Sequence, residues 1–351
     1  MNIDLSDEAT EYGRVARQAL EAAGGDDLVQ TAEREPDRRE DLVAPVLAEL
    51  GAWDLDPRTS ADELEAAAAL CRAAGWWATP YPVAERLARP TGTEADGLVV
   101  VAEAAPVGRL ASLPPARRWV AVTVDGRRSI ATPVAAPEAP PRKSAFVAEL
   151  ALSPLDDAGT GDVALGAVDA AGAGDDAAGV GGVRLGGVDA GTGDVALGLV
   201  LPCWTLLGML DRAIDVTRSY VLEREQFGQP LASFQGVQFQ LTDAEVERAG
   251  VEELAKYALW SLAANPDDEA VADALALRLA AIEAADVVFR VTHQLHGAIG
   301  FCDETALSWL SRHSQPLRRL PFALSATRDR LTRHLGRRGL TGLFDGFGGA
   351  A

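Results

Sequence analysis

The chain has 351 residues, enough for two or three packed layers and for more than one domain. Its 48% hydrophobic content is ordinary for a globular protein, while 52 acidic against 32 basic residues leave a formal net charge of −20. That balance excludes non-specific nucleic-acid binding, which needs a basic footprint, but leaves room for an anionic small ligand at a local basic patch.

The opening MNIDLSDEATEYGR has neither a basic n-region nor an apolar core, so a signal peptide is not expected. No apolar run of about 18 residues predicts a membrane span. The expectation is a soluble cytoplasmic protein in contact with neither membrane nor nucleic acid. Residues 1–88 read as a helical domain. Ser6 is placed to N-cap a helix with an acidic first turn, ending at Gly24–Gly25. Ser60 and Glu63 form a capping-box pattern before another helix, whose buried face would carry Leu64, Leu70 and Cys71. Cys71, Cys203 and Cys302 are odd in number and lack CxxC spacing, so neither a disulfide framework nor a structural zinc site is predicted.

Residues 89–198 change texture and read as a small β domain. DGLVVVAEA and RRWVAVTVDGRRSIATPV are β-branched runs, and Asp125–Gly126 in the second is a two-residue hairpin signal. KSAFVAELALS is a further strand candidate. The segment 154–198 is rich in Gly, Ala and Asp, and DAGTGDVALG occurs twice in it, at 157–166 and 189–198. Two copies are too few for a solenoid, which needs at least about three units. The repeat reads as a local duplication giving similar turn-plus-strand units.

From Pro202, which suits a first helical position, the chain becomes helical, with Leu206, Leu210, Ile214 and Val221 near one face. Long helices follow over roughly 237–263 and 267–296, the latter with Leu275, Leu279, Ile282, Val287 and Val291 on its apolar side, and shorter ones near 304–313 and 322–335. Residues 199–340 thus form an antiparallel bundle, and 341–351 a flexible tail. The predicted fold class is α+β: an N-terminal helical domain, a small middle β domain and a C-terminal antiparallel helical bundle.

Chemistry-bearing patterns are few. Among His293, His296, His313 and His334 no HExxH pattern occurs, and no metal site is predicted. GxSxG, P-loop and GxGxxG signatures in a suitable context are absent. Eight arginines stand against Asp329 over 312–338; they suit either phosphate contacts or a solvated basic helix face. Two segments carry more than their local structure needs. YVLEREQFGQPLASFQGVQFQL, 220–241, sets Arg224, Gln226, Phe227, Gly228, Gln235 and Gln238 between two helices whose joint needs only turn chemistry. In QLHGAIGFCDETALSWLSRH, 294–313, glycines interrupt the end of a strong helix, and Gly297, Ala298 and Gly300 suit close backbone approach to a ligand. Arg224 offers paired donors for a phosphate and Phe227 a flat apolar face. Alone, each segment also has a plain reading, as a helix end followed by a turn or as a Gly-terminated helix.

In this order and spacing the two segments resemble the acyl-CoA dehydrogenase family. The first motif stands as Tyr220, Arg224, Gln226, Phe227, Gly228, Pro230, Phe234 and Gln235, the second as Gln294, Gly297, Ala298, Gly300, Phe301, Glu304 and Arg312. The resemblance covers about 200–340, and the N-terminal half agrees in layout. It implies FAD as cofactor and α,β-dehydrogenation of an acyl-CoA thioester, with a glutamate removing the α-proton as the β-hydride leaves for the flavin. It also implies that Arg224, Gln226, Phe227, Gln294, Gly297 and Ala298 contact the adenosine-diphosphate part of a FAD shared with a neighbouring subunit. Ala298 replaces the usual second glycine.

The catalytic base is what the sequence lacks. The slot the resemblance gives it falls near Leu320, Pro321 and Phe322, and the slot used in another branch near Gly198–Leu199, with Asp194 the nearest acid. Neither holds a group able to take a proton. IATPVAAPEAPPRKS does not match the polar loop that the family carries beside the flavin, and Glu223 and Glu304 read as surface acids. No catalytic residue is assigned. The expectation is a non-catalytic subunit paired with a paralogous acyl-CoA dehydrogenase subunit in an α2β2 heterotetramer, acting on a sterol side-chain or other bulky acyl-CoA. A self-sufficient homo-oligomer with an unrecognised base, and a binding or scaffold protein that has lost FAD, are the alternatives.

Overall fold

A computed structural model describes residues 3–110, 113, 117–134, 146–155, 190–265 and 267–338. The first DAGTGDVALG copy, all of APEAPPRKS and the 341–351 tail lie outside them.

Helices α1 (Asp7–Ala22), α2 (Asp26–Arg34), α3 (Arg39–Glu49), α4 (Ala61–Trp76) and the short α5 (Val83–Leu87) form the N-terminal unit. The Ala9 N–H donates to Ser6 Oγ at 3.3 Å, so Ser6 caps α1 as its sequence predicts. At α4 the capping box is half made. The Glu63 N–H donates to Ser60 Oγ at 3.2 Å, but the Glu63 carboxylate accepts from the Asp56 N–H instead of the Ser60 N–H. The loop before α4 is thereby tied to its first turn. Leu64, Leu70 and Cys71 are buried.

The β unit is a five-stranded sheet of β1 (Gly97–Val101), β2 (Val107–Gly108), β3 (Trp119–Thr123), β4 (Arg128–Pro133) and β5 (Ala148–Pro154), in the order β1-β3-β4-β5-β2. β1 and β3 run parallel; the other pairs are antiparallel, and Gly126, at φ 86°, turns β3 into β4. Alternation splits β1 and β3 between two cores. Leu98, Val100, Val120 and Val122 face the main helical core, whereas Val99, Val101, Trp119 and Ala121 face a smaller one with Leu110, Ala131 and Leu150. Both faces are covered, which is why these strands read as unbroken apolar runs.

Helix α6 (Ala190–Glu223) runs past every unit, and α7 (Gln235–Ala264), α8 (Asp267–His296), α9 (Ala306–Arg319) and α10 (Leu324–Arg338) complete the bundle. α6 corrects three expectations. The second DAGTGDVALG copy is helical from Ala190 on, not turn-plus-strand, because Val195, Ala196, Leu197 and Leu199 are buried all round the helix rather than on alternate sides. Pro202 lies inside the helix, not at its start; the buried apolar surroundings outweigh the one backbone hydrogen bond it removes. Gly191–Glu223 is also long and apolar enough to cross a membrane by composition, yet 89% of its apolar window is buried inside the fold, as befits a core helix.

Glycines set α6 in place. A Cβ on Gly208 would lie 2.0 Å from the Arg72 carbonyl oxygen of α4, and one on Gly75 would lie 1.9 Å from that of Thr205, so α4 and α6 cross backbone to backbone. Charges then tie the units together. Asp194, fully buried, meets Arg58 at 2.7 Å and Arg128 at 2.6 Å; burial pushes its carboxyl upward while both guanidiniums oppose this. Glu33 and Arg39 pair at 2.8 Å in the interior, and the Arg39 guanidinium faces the Phe146 ring of the β unit. His313 of α9 lies 3.8 Å from Glu33; burial, reinforced by Arg39, Arg109 and Arg312, lowers its pKa to about 3 and leaves it neutral.

Arg72 of α4, Asp211 of α6, and Arg248 and Glu252 of α7 form a partly exposed network with contacts of 2.6 to 3.1 Å. Burial raises the Glu252 pKa, but the hydrogen bonds and charges of Arg72 and Arg248 outweigh it and bring it from 4.5 down to about 2. A depressed folded-state value means that the stabilisation is present above 4.5 and lost as the pH falls towards 2. Chemical denaturation should show about 2 kcal/mol of acid-dependent destabilisation in this window from this group, absent in Glu252→Gln.

Candidate functional site

The site grows from the ends of two core helices. α6 closes with the Arg224 N–H donating to Tyr220 O at 2.8 Å. Glu225 pairs with Pro230 and Gln226 with Gln229, so the joint is a two-residue hairpin with Phe227 and Gly228 at its tip, at φ 55° and 81°. Two successive positive φ values give the turn that matches the strand twist, and glycine takes its half without strain. Phenylalanine does not, and Phe227 is 92% exposed, in a T-shaped contact with Phe234 at 6.2 Å. Gln238 serves structure, because its Nε2 donates to Ala232 O at 2.8 Å and ties the turn to α7.

α8 ends at Gly297, whose φ of 64° is the left-handed position that terminates a helix. The Tyr220 ring stacks on His296, with centroids 4.4 Å apart and planes 15° apart. This contact sets the end of α8 against the end of α6, bringing the two sequence segments to one end of the bundle. His296 is buried, with Nδ1 2.9 Å from Thr292 O, and burial holds its pKa below the ordinary histidine value.

Arg224, Gln226, Phe227, Gln294, Gly297 and Ala298 are all exposed. The Arg224 side chain forms no hydrogen bond or ion pair among the described residues, whereas Arg312 of the second motif is held by Asp303 at 2.7 Å. No atom lies within 4 Å of where a Gly297 Cβ would stand, so its open backbone faces outward. Gly300 behaves otherwise: it is buried, and a Cβ there would meet the His296 Cβ at 2.9 Å. Its role is packing, not the ligand approach expected from the sequence. Several C-terminal arginines are also engaged: Arg318 with Asp286, Arg328 with Glu283, Arg333 with Asp329 O, and Arg330 over the Phe322 ring. Together the exposed set offers a free guanidinium, two amides, an aromatic face and an unobstructed glycine backbone. These groups suit a pyrophosphate joined to a flat heterocycle, and so the adenosine-diphosphate half of FAD.

The two base slots meet in space. Gly198, which lies within α6, and Leu320 and Pro321 line one small cavity of about 40 Å³ below β1. That volume holds a few water molecules. Phe322 is buried beside it, and Asp194 is committed to its two arginines. The same cavity is lined by Glu85 and Arg109, which lie 3.4 Å apart and are more than nine-tenths buried. Burial raises the Glu85 pKa, Arg109 opposing, and Glu85 Oε2 has no hydrogen-bond partner. Sequence reasoning misses this pair, because no pattern links an acid on a short helix to an arginine after β2.

Residues 196–320 match the family model described as acyl-CoA dehydrogenase, C-terminal domain. The 3-sulfinopropanoyl-CoA desulfinase of Paraburkholderia xenovorans is 34% identical over 110 residues, which span 31% of this chain and 27% of that protein. The match thus covers well under half of either chain. The ChsE4-ChsE5 complex of Mycobacterium tuberculosis contains a chain that superposes with a TM-score of 0.69 at 19% identity, covering 97% of this chain and 100% of that one. The Tcur3481-Tcur3483 steroid ACAD gives 0.69 at 18% identity, covering 94% and 98%. At these identities the structural likeness establishes the fold.

Proposed function

We propose that this chain, whose residues 196–320 belong to the acyl-CoA dehydrogenase family and whose described residues have that family's fold, is the non-catalytic subunit of a hetero-oligomeric acyl-CoA dehydrogenase. Its partner is a paralogous subunit in an α2β2 assembly in the cytoplasm, and its substrate class is a bulky acyl-CoA such as a sterol side-chain thioester. One observation carries this reading. The residues assigned here to the cofactor stand exposed at the end of the bundle, while the two places for a base, Gly198–Leu199 and Leu320–Phe322, hold no acid.

In this reading Arg224 donates to the pyrophosphate of a FAD whose flavin end lies in the partner. Phe227 and Gln226 flank the adenosine, and the bare backbone at Gly297 allows close approach beside Gln294 and Ala298. FAD supplies the hydride-accepting chemistry when bound. This chain's residues orient its distal half, and α-proton removal belongs to the partner. The likeness to chains solved as two-protein complexes supports the arrangement.

Glu85 favours a second reading, a self-sufficient enzyme, because a buried carboxyl with one free oxygen has the raised pKa expected of a general base. The contact with Arg109 weighs against it.

In the complex co-expressed with its paralogue, Arg224→Ala should weaken FAD retention by roughly ten- to a hundredfold, measured by flavin fluorescence, with folding stability within about 0.5 kcal/mol of the parent. Unchanged flavin content would remove the proposed role of the hairpin. Glu85→Gln should leave acyl-CoA-dependent dye reduction within about twofold of the parent. A loss on the order of a hundredfold or more would establish the second reading.

A further inference from the structure

The buried charge pairs of this chain are of two kinds. Asp194 meets Arg58 at 2.7 Å and Arg128 at 2.6 Å, and Glu33 meets Arg39 at 2.8 Å; these contacts are closed. Glu85 and Arg109 stand 3.4 Å apart, and that pair is open. Arg109 Nη1 and Glu85 Oε2 have no hydrogen-bond partner among the described residues, although each side chain is more than nine-tenths buried. The Arg109 guanidinium also faces the Phe146 ring at 5.4 Å.

This open pair lines the cavity of about 40 Å³, and every other lining residue is apolar or glycine. A buried donor or acceptor left unmade costs far more than an ordinary hydrogen bond gains. Here an orphaned acceptor and an orphaned donor border the same space. One molecule bonded at about 2.9 Å on each side can reach both atoms.

From this open pair beside a water-sized cavity, we propose that the cavity is a specific water site, its occupant accepting from Arg109 Nη1 and donating to Glu85 Oε2. Water has the two functions that the site requires, in a volume the cavity holds. A halide could accept from the guanidinium but has nothing to donate to the carboxylate. Ala84 and Glu85 of α5, Leu98 and Val100 of β1, Gly198 of α6 and Leu317 of α9 share this lining, so the bound water sits where the three units of the fold meet. The inference rests on neither functional reading, because it concerns only what satisfies the pair.

A high-resolution crystal structure of the full chain tests it. The expected result is a water peak within about 3.2 Å of both Glu85 Oε2 and Arg109 Nη1. Crystals grown in bromide should show no anomalous signal at that position. Glu85→Gln, which keeps an acceptor at the site, should retain the water. The double variant Glu85→Leu/Arg109→Met should lose it, with a melting temperature at or above that of the parent, since an apolar pair replaces two buried charges. The proposal is overturned if the cavity of the parent is empty, if Glu85 and Arg109 bond directly with no water between them, if bromide occupies the position, or if the double variant keeps the water.

Discussion

The close approach of α6 to its neighbours is the constraint on which the rest of the structure depends. Gly191 lies against the carbonyl of Gly126 in the β hairpin, Gly198 against Val100 of β1, and Gly208 against the backbone of α4. A methyl group at Gly191 or Gly208 would come within about 2 Å of a backbone oxygen, a distance that no rotamer change relieves. One helix thus takes its register from both other units. Its N-terminal end fixes the β sheet, and its C-terminal end presents Tyr220 and the hairpin beyond it.

That register explains why the two ends of α6 differ. Near Gly198 the packing against β1 leaves a small cavity, closed further by Leu317, Leu320 and Pro321. The buried Arg58–Asp194–Arg128 cluster reinforces the closure, since removing one partner would leave a charge unpaired in the interior. At the other end the Tyr220–His296 stack holds the end of α8 alongside the end of α6. Beyond that stack, Arg224, Gln226 and Gln294 face outward. A closed interior at one end and an open polar surface at the other are what a subunit needs if it completes another subunit's site without having one of its own.

Much of the fold was legible because local signals and packing agree. Ser6 and Ser60 cap the helices expected of them, Asp125–Gly126 turns the predicted hairpin, and Leu275, Ile282 and Val291 of α8 are buried as spaced, while Leu279 and Val287 are only partly so. The misreadings fall where burial outweighs local preference. DAGTGDVALG reads as turn and strand because of its glycines, yet its second copy is helical, since those glycines serve close packing instead of flexibility. Pro202 reads as a start signal and sits mid-helix. The residues that the sequence singles out for the cofactor all prove exposed, at one end of the bundle. The Glu85–Arg109 pair is assembled by tertiary packing alone, and single-sequence patterns do not carry it.

The division of labour between two subunits is tested most directly by counting flavin. The chain purified alone, and then as a complex with its paralogous subunit, is assayed for FAD per chain and for acyl-CoA-dependent dye reduction. The account predicts substoichiometric FAD and no turnover from the chain alone, but a yellow, active complex. Stoichiometric FAD with acyl-CoA oxidation by the isolated chain would contradict it, as would a complex without flavin.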